Sequence, residues 1–305
     1  MTLRCGITIP THNRKDDLQR TCSVLMRLEP RPDEIWICID GCSDDTHSWL
    51  RTTYPNFRVI YHGHARGSVA SRDEMMRSSN ADVLLSLDDD SYPVELDSIK
   101  RIEQLFAHNP RLAIAAFPQR SDEYPDTLSV SDFGPAHFIG TFSNAGTAIR
   151  RSTFLEVGGY PLQFGHAYEE PDFALRCLAA GFEVKFEPTL TIRHHYTTAQ
   201  RNEMRTHHSH ARNELWSVIL RCPLPQLLLV AFFRIARQLG YARKRGWSWV
   251  LREPIWWLRC LRGIPHALAK RSPIAWSRYR GWMELVRRPI FDRSEWKRKF
   301  AAGRK

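Results

Sequence analysis

The first two hundred residues alternate short apolar runs with stretches whose apolar positions recur every three or four residues. CGITIP (5–10) is a β-rich run, THNRKDDLQRTCSVLMRL (11–28) carries Leu18, Cys22, Leu25 and Met26 at helical spacing, and EIWICID (34–40) is a second run rich in β-branched residues. SDDTHSWLRTTY (43–54) reads as a helix opened by Ser43 or an Asp cap, FRVIYH (57–62) as a strand, SVASRDEMMRSS (68–79) as a helix and DVLLSL (82–87) as a strand. Strands that are apolar throughout must be covered on both faces. The pattern therefore predicts an α/β fold, a mostly parallel sheet with helices on both sides. Ligands of such sheets sit beyond the carboxyl ends of the strands.

The pattern changes after residue 205. LPQLLLVAFFRIARQLGYARKRGWSWVLREPIWWLRCLRGIPHALAKR (224–271) sets Leu, Trp and Phe at helical spacing with Arg and Lys between them, and its longest apolar run, LLLVAFF, has seven residues. A bilayer span needs about 20. Six of the ten tryptophans (216, 247, 249, 256, 257 and 276) lie between 211 and 280. Two regions follow: a catalytic domain over 1–205 and a helical, basic and apolar extension over 206–305, whose residues 211–290 would lie on an anionic membrane surface.

Charge sharpens this division. Residues 1–200 hold 20 Lys and Arg against 27 Asp and Glu, and residues 201–305 hold 24 against 6, so the net charges are −7 and +18. An acidic globular part suits a cation; a basic part suits an anionic partner. No nucleic acid is expected, because no recognised binding motif occurs and phosphate contacts do not require so much accompanying apolar surface. The seven cysteines are scattered and odd in number, without a CxxC pair, which points to reduced thiols. No signal-like segment opens the chain. The expected location is cytoplasmic, at the inner face of the cell membrane.

Chemistry concentrates where apolar runs end in acids. LLSLDDDSYP places Asp88, Asp89 and Asp90 at a strand end, and adjacent carboxylates repel unless cations sit among them. Hard divalent cations favour carboxylate oxygens and take their remaining ligands from water and phosphates. Continued strand geometry would send Asp88 and Asp90 to one side and Asp89 to the other. Asp40 ends another strand. In HAYEEPDFALRCLAAGF, Pro171 suits the first position of a helix and Gly181 its end, which puts Glu169 and Glu170 at or just before the helix N-terminus and gives Asp172 a helix-dipole role. TLTIRHHYT reads as a strand in which alternation lets one of His194 and His195 point inward, with His194 preferred. THHSH (206–210) lacks ligand-spaced partners for zinc and reads as a polar helix face.

TIPTHNR, IDGCSDDT, GSVASRD, LDDD, NAGTAIRRSTFLEVGGY and EEPDFALRCLAAGF occur in the order and spacing of family-2 glycosyltransferases, which the chain resembles over roughly residues 3–200. The resemblance implies the GT-A (Rossmann-like) fold and metal-dependent, inverting transfer of a sugar from a nucleotide-diphospho-sugar to a hydroxyl of a glycan or lipid-linked glycan, as in cell-surface polysaccharide synthesis. By the same resemblance, Asp90 would bind Mn²⁺ or Mg²⁺ with Asp88 and His194. Asp88 or Asp89 would touch the ribose or a metal-bound water, and Asp40 would accept a hydrogen bond from the base. Pro10, Thr11 and Asn13 would face the nucleotide and Arg72 the diphosphate. Asn144, Ala145 and Gly146, with Gly158 and Gly159, would shape the sugar pocket. Glu170 aligns with the family's usual base, with Glu169 in reserve; the expected residue there is Asp, one methylene shorter. Cys42 with a shortened turn replaces the usual DDGST, and Asp73 stands where Asn is frequent. A metal-dependent phosphoesterase or nucleotidyltransferase, or a non-catalytic basic adaptor for lipid or RNA, is the alternative reading.

Overall fold

The computed structural model describes residues 3–196 and 202–301. Its first half is the expected alternation: β1 (Cys5–Thr11), α1 (Lys15–Leu25), β2 (Glu34–Asp40), α2 (Thr46–Thr53), β3 (Arg58–His62), α3 (Ser68–Ser78) and β4 (Val83–Ser86). These strands form one parallel block in the order β3-β2-β1-β4. After the acidic cluster come β5 (Ser91–Pro93), α4 (Ser98–His108), β6 (Leu112–Ala116), β7 (Gln119–Ser121), β8 (His137–Phe138), β9 (Thr147–Arg150) and α5 (Arg151–Glu156). Then follow α6 (Glu169–Ala179), β10 (Glu183–Phe186) and β11 (Ile192–His194). β9 runs antiparallel between β4 and β6, β10 pairs parallel with β6, and β8 closes the edge of an eight-stranded sheet.

A second sheet, β5-β11-β7, matters most for the site. Its register sets His194 opposite Ser91 and Ser121, which carries the histidine beside the acidic cluster. The backbone N–H of His195 donates to the carbonyl of Asp90 at 2.8 Å and locks that register. Gly146 lets this layer approach: a Cβ there would come within 2.6 Å of the Ile192 side chain.

The remaining helices are α7 (Glu203–Arg221), α8 (Gln226–Arg245), α9 (Trp247–Val250), α10 (Glu253–Ala269), α11 (Trp276–Arg287) and α12 (Arg293–Trp296). They play two roles. Tyr279, Trp282 and Leu285 of α11, with Trp296 and Phe300, join Phe138, Ile149, Phe173 and Val184 in the core on one face of the main sheet. Phe138 and Ile290 exchange backbone hydrogen bonds, so residues after 275 complete the sheet-side core. By contrast, α7 and α10 pack on each other around Trp216 and Trp256. Gly263 makes that contact possible, since a Cβ there would meet the Trp216 ring at 2.1 Å. The THHSH stretch is not a polar face: His207 and His208 are buried, and His207 Nε2 lies 2.8 Å from Glu253 Oε1. The absence of a cysteine pair gave no hint of this partner, which comes from a helix 46 residues away.

α6 begins two residues before Pro171, so Glu169 and Glu170 lie inside its first turn. Proline is tolerated there because the first amide groups have no intrahelical partner. Asp172 does more than meet a helix dipole. Fully buried, it accepts from Arg176 Nε at 2.8 Å, Arg221 Nε at 3.1 Å and Ser217 Oγ at 2.9 Å, and so ties α6 to α7. Burial acts to raise its pKa, but Arg176 and Arg221 outweigh burial and hold it below the usual carboxylate range. Asp172→Ala is expected to cost about 3–5 kcal/mol at neutral pH, because partly buried guanidinium groups lose their counter-charge. A folded-state value below the unfolded one gives stability that is full above the ordinary carboxylate range and lost as pH falls through the folded value. Denaturant midpoints for wild type and variant should therefore converge on acidification; a constant gap would remove Asp172 from this role.

Candidate active site

The acids sit on a turn, not on a continued strand. β4 ends at Ser86; Ser91 N–H donates to the Asp88 carbonyl at 3.2 Å, and Asp88 N–H donates to Ser91 Oγ at 2.8 Å. The turn still separates the side chains into two directions. Asp89 points back into the fold, where Thr11 Oγ1 donates to its carboxylate at 2.9 Å and Thr21 Oγ1 to its carbonyl at 2.8 Å. Asp88 and Asp90 converge with His194, and one ligand atom from each lies within 4.8 Å of the others. His194 Nε2 is 3.2 Å from Asp90 Oδ1, while His195 turns to the Tyr92 hydroxyl at 2.9 Å. Two carboxylate oxygens and an imidazole nitrogen are a donor set that fits a hard or borderline divalent cation.

Two guanidinium groups answer the repulsion among the acids. Arg14, just before α1, bridges Asp89 at 2.7 Å and Asp90 at 2.5 Å. Arg72 of α3 is buried and pairs with Asp88; its Nε donates to Ser86 Oγ at 3.1 Å. Burial works to raise Asp90, but His194 and Arg14 hold its carboxyl below the ordinary range. Asp89 is pushed up to about 7, by burial first and by Asp90 and Asp88 next, against the pull of Arg14. Arg14 escaped the sequence reading because Arg-Lys at a helix start looks like a solvated face; the need of three acids for nearby cations was the only signal.

Asp40 ends β2 with both oxygens engaged. Oδ1 accepts from Arg66 N–H and contacts His62 Nδ1, each at 2.8 Å, and Oδ2 accepts from Gly67 N–H at 2.8 Å. Burial opposes this, yet the Arg66 amide, His62 and the Gly67 amide hold its pKa low. Asp40 thus fastens the loop before α3 to the carboxyl edge of the sheet. Pro10 and Thr11 end β1 one strand over. Asn13 takes a left-handed φ of 53°, and its Oδ1 accepts from Ser43 N–H at 2.7 Å, which joins the two loops beside Asp40. Asp73 accepts from Tyr160 N–H at 2.9 Å and pairs with Arg77, shaping the Gly158-Gly159 turn.

Within electrostatic reach of Arg72 stands the acid pair. Glu169 is buried; its Oε1 accepts from Asn144 Nδ2 at 3.3 Å, and Asn144 Oδ1 accepts from the Tyr160 hydroxyl at 2.7 Å. Glu170 is half-buried. Both pKa values are raised, Glu169 by burial and Glu170 by burial and then by the charge of Glu169. The positive charge of Arg72 reaches both and couples them to Asp88. Ala167 and Tyr168, just before the pair, both have φ of 70°, a conformation uncommon for residues other than glycine. Asn213 of α7 holds them there, its Nδ2 reaching the carbonyls of Phe164, His166 and Ala167 at 3.0, 2.8 and 2.7 Å. Asn213 was not a sequence candidate, since an isolated amide in a helix carries no signature.

Comparison with known proteins bears on the family and the fold. The chain is 23% identical over 218 residues to the pre-mycofactocin glycosyltransferase of Mycobacterium tuberculosis, a match covering 64% of this chain and 43% of that protein. It therefore spans less than half the length of that relative. It is 24% identical over 211 residues to the uncharacterized glycosyltransferase YwdF of Bacillus subtilis, covering 66% of this chain and 77% of that one. In fold it resembles the mannosyltransferase PcManGT of Pyrobaculum calidifontis, solved with GDP-Man and Mn²⁺ (TM-score 0.58, 16% identity, 94% of this chain and 85% of that one). It also resembles S. aureus TarS 1–349 solved with UDP-GlcNAc (TM-score 0.61, 13% identity, 88% and 84%). These solved structures share the GT-A architecture expected from the sequence motifs. The model of glycosyl transferase family 2 matches residues 7–164, just over half of the 305, and takes in the β1 loop, Asp40, Arg72 and the acidic turn, so the chain belongs to that family.

Proposed function

We propose that this protein is a metal-dependent, inverting glycosyltransferase that moves a sugar from a nucleotide-diphospho-sugar to a hydroxyl of a glycan or lipid-linked glycan in cell-surface polysaccharide synthesis. The observation that carries this reading is the convergence of Asp88, Asp90 and His194, with Arg72, which pairs with Asp88, carrying its positive charge to Glu169 and Glu170. Asp88, Asp90 and His194 would hold Mn²⁺ or Mg²⁺, which when bound supplies Lewis-acid stabilisation of the departing diphosphate. Pro10, Thr11, Asn13, Asp40 and Asp89 lie on or behind the loops that would shape the nucleotide site, and Arg72 keeps positive charge beside Asp88. Asn144 and Gly146 would border the donor sugar. Glu170, the more accessible acid, would take the proton of the acceptor hydroxyl as its oxygen attacks the anomeric carbon and the bond to the diphosphate oxygen breaks. Incubation with UDP-, GDP- and dTDP-sugars should show donor consumption that needs Mn²⁺ or Mg²⁺ and stops with chelator. Consumption indifferent to chelator, or none with any donor, would overturn the reading.

The membrane part of the proposal narrows to two helices. No helix among the described residues is long and apolar enough to cross a bilayer. Trp216 and Trp256 belong to the core, whereas Trp247 is 74% exposed. Leu228, Leu229, Phe232 and Phe233 of α8 and Leu258, Leu261 and Leu268 of α10 face outward, with Arg259, Arg262 and Lys270 exposed among the latter. Such a face suits peripheral docking on the anionic inner surface of a cell membrane. Vesicles containing phosphatidylglycerol should sediment the protein, and phosphatidylcholine vesicles should do so about tenfold less well, with binding falling as salt rises. A Leu258→Asp/Leu261→Asp variant that binds as wild type does would remove this face from the proposal.

A further inference from the structure

The three-stranded sheet that positions His194 has a second face. Side chains alternate along a strand, so Ser91, His194 and Ser121 share the face on which His194 meets Asp90, and the adjoining row, Tyr92, Arg193 and Arg120, takes the opposite one. A pocket of about 290 Å³ lies against this outer row. Val24 and Arg27, at the end of α1, and Val94 and Leu96, after β5, complete its lining. Three of the lining residues are arginines and none is acidic. We infer that this pocket binds a small phosphate monoester, with the phosphate among Arg27, Arg120 and Arg193 and the organic part against Val24, Val94 and Leu96.

Charge selects the phosphate. The register sets Arg120 beside Arg193 on neighbouring strands, where like charges cost stability unless an anion lies near both. Arg193 is answered within the fold: its Nη2 reaches Asp122 at 2.6 Å, and its Nη1 donates to the carbonyls of Arg120 and His194 at 3.0 and 2.8 Å. Arg120 is not. Its Nη2 donates to the Val130 carbonyl at 3.1 Å, its Nε is buried with no hydrogen-bond partner, and no carboxylate pairs with it among the described residues. Arg27 is exposed and likewise has no carboxylate partner among them. Two uncompensated guanidinium groups match a phosphate monoester, which carries about −1.5 to −2 at pH 7, better than a carboxylate with its single charge. Their planar forks also suit phosphate oxygens, which accept two parallel N–H bonds.

The apolar lining selects an ester over the free ion. Val94 and Leu96 are 44% and 50% exposed, and an organic group beside the phosphate would cover them. The volume, just under the roughly 300 Å³ at which ligand clefts begin, keeps that group small. Position separates this pocket from the crevice. Asp40, Asp88, Asp90 and Glu170 do not line it, so its occupation requires neither the metal nor a sugar donor.

The test is calorimetric titration of the full chain with phenyl phosphate, inorganic phosphate and benzoate, in the presence of chelator so that no metal bridges them to the acidic turn. Phenyl phosphate should bind at one site, about tenfold tighter than either of the others. Arg27→Glu, a change at an exposed position, should abolish this binding while keeping the wild-type melting temperature and Mn²⁺ affinity. Arg120→Gln should weaken it about tenfold by loss of one charge-assisted pair. Sedimentation with phosphatidic acid vesicles tells the source of the ester: a loss in Arg27→Glu marks a lipid headgroup, and unchanged sedimentation marks a soluble ester, both with the phosphate in this pocket. Failure of phenyl phosphate to bind, undiminished binding by Arg27→Glu, or equal binding of benzoate or inorganic phosphate would overturn the inference.

Discussion

Asp90→Ala is expected to abolish Mn²⁺ or Mg²⁺ binding and to lower turnover by about 10³-fold, since a positioned Lewis acid contributes several kcal/mol to the transition state. Asp90 is the centre of the donor set. It is 1% exposed, contacts His194, and is held ionised at neutral pH against the cost of burial. Removing it leaves Asp88 and His194, whose closest approach is 4.0 Å, as two ligands on separate segments. Arg14 would keep Asp89 and Asp17 as partners, so the loop before α1 should hold its place. The control is Asp89→Asn. Asp89 faces Thr11 and Thr21, so its amide should retain metal affinity within a few-fold while lowering stability through the weakened Arg14 pair. Calorimetric titration with Mn²⁺ separates the two. Equal loss of affinity in both variants would mean that the turn, not the direction of its side chains, makes the site.

That directional split was legible in the sequence, though for a reason the structure replaces. Strand alternation would part Asp89 from its neighbours; the chain instead leaves β4 at Ser86 and turns, with Ser91 closing the turn onto Asp88. The parallel block was readable because β1 to β4 each carry a short β-rich apolar stretch next to a segment with helical period. β5, β7 and β8 were not readable, because two or three residues cannot establish a period of two. Inward placement of His194 over His195 was open to an alternation argument, but its reason lies in the β5-β11-β7 register, a long-range fact. The C-terminal helices were the least transparent. Trp with Arg at helical spacing describes both a membrane-facing surface and a core helix with a solvated back. Trp282 and Trp296 took the second course beneath Phe138, while Leu228 and Phe232 stayed outside. Nor could spacing show that Asn213 would fasten the loop before Glu169, because that contact forms only after α7 packs on α6.

Glu170→Gln should lower kcat by about 10²–10⁴-fold with little change in donor affinity, the range for loss of a general base. Its pH behaviour identifies it more sharply than the rate. A base must be unprotonated, so activity should fall as pH drops through its folded-state value. Burial and the neighbouring Glu169 raise that value above the ordinary glutamate range of about 4.3. The acid limb of the wild-type kcat/KM profile should thus lie well above that range and vanish in Glu170→Gln. Glu169→Gln makes the opposite prediction. It removes the like charge beside Glu170, and a glutamine carbonyl can still accept from Asn144, so activity should persist and the acid limb should move to lower pH. If the limb vanishes in Glu169→Gln and merely shifts in Glu170→Gln, the two acids exchange roles. That outcome would place the base on the buried side of the first turn, where Asn144 and Tyr160 would decide which hydroxyl it reaches.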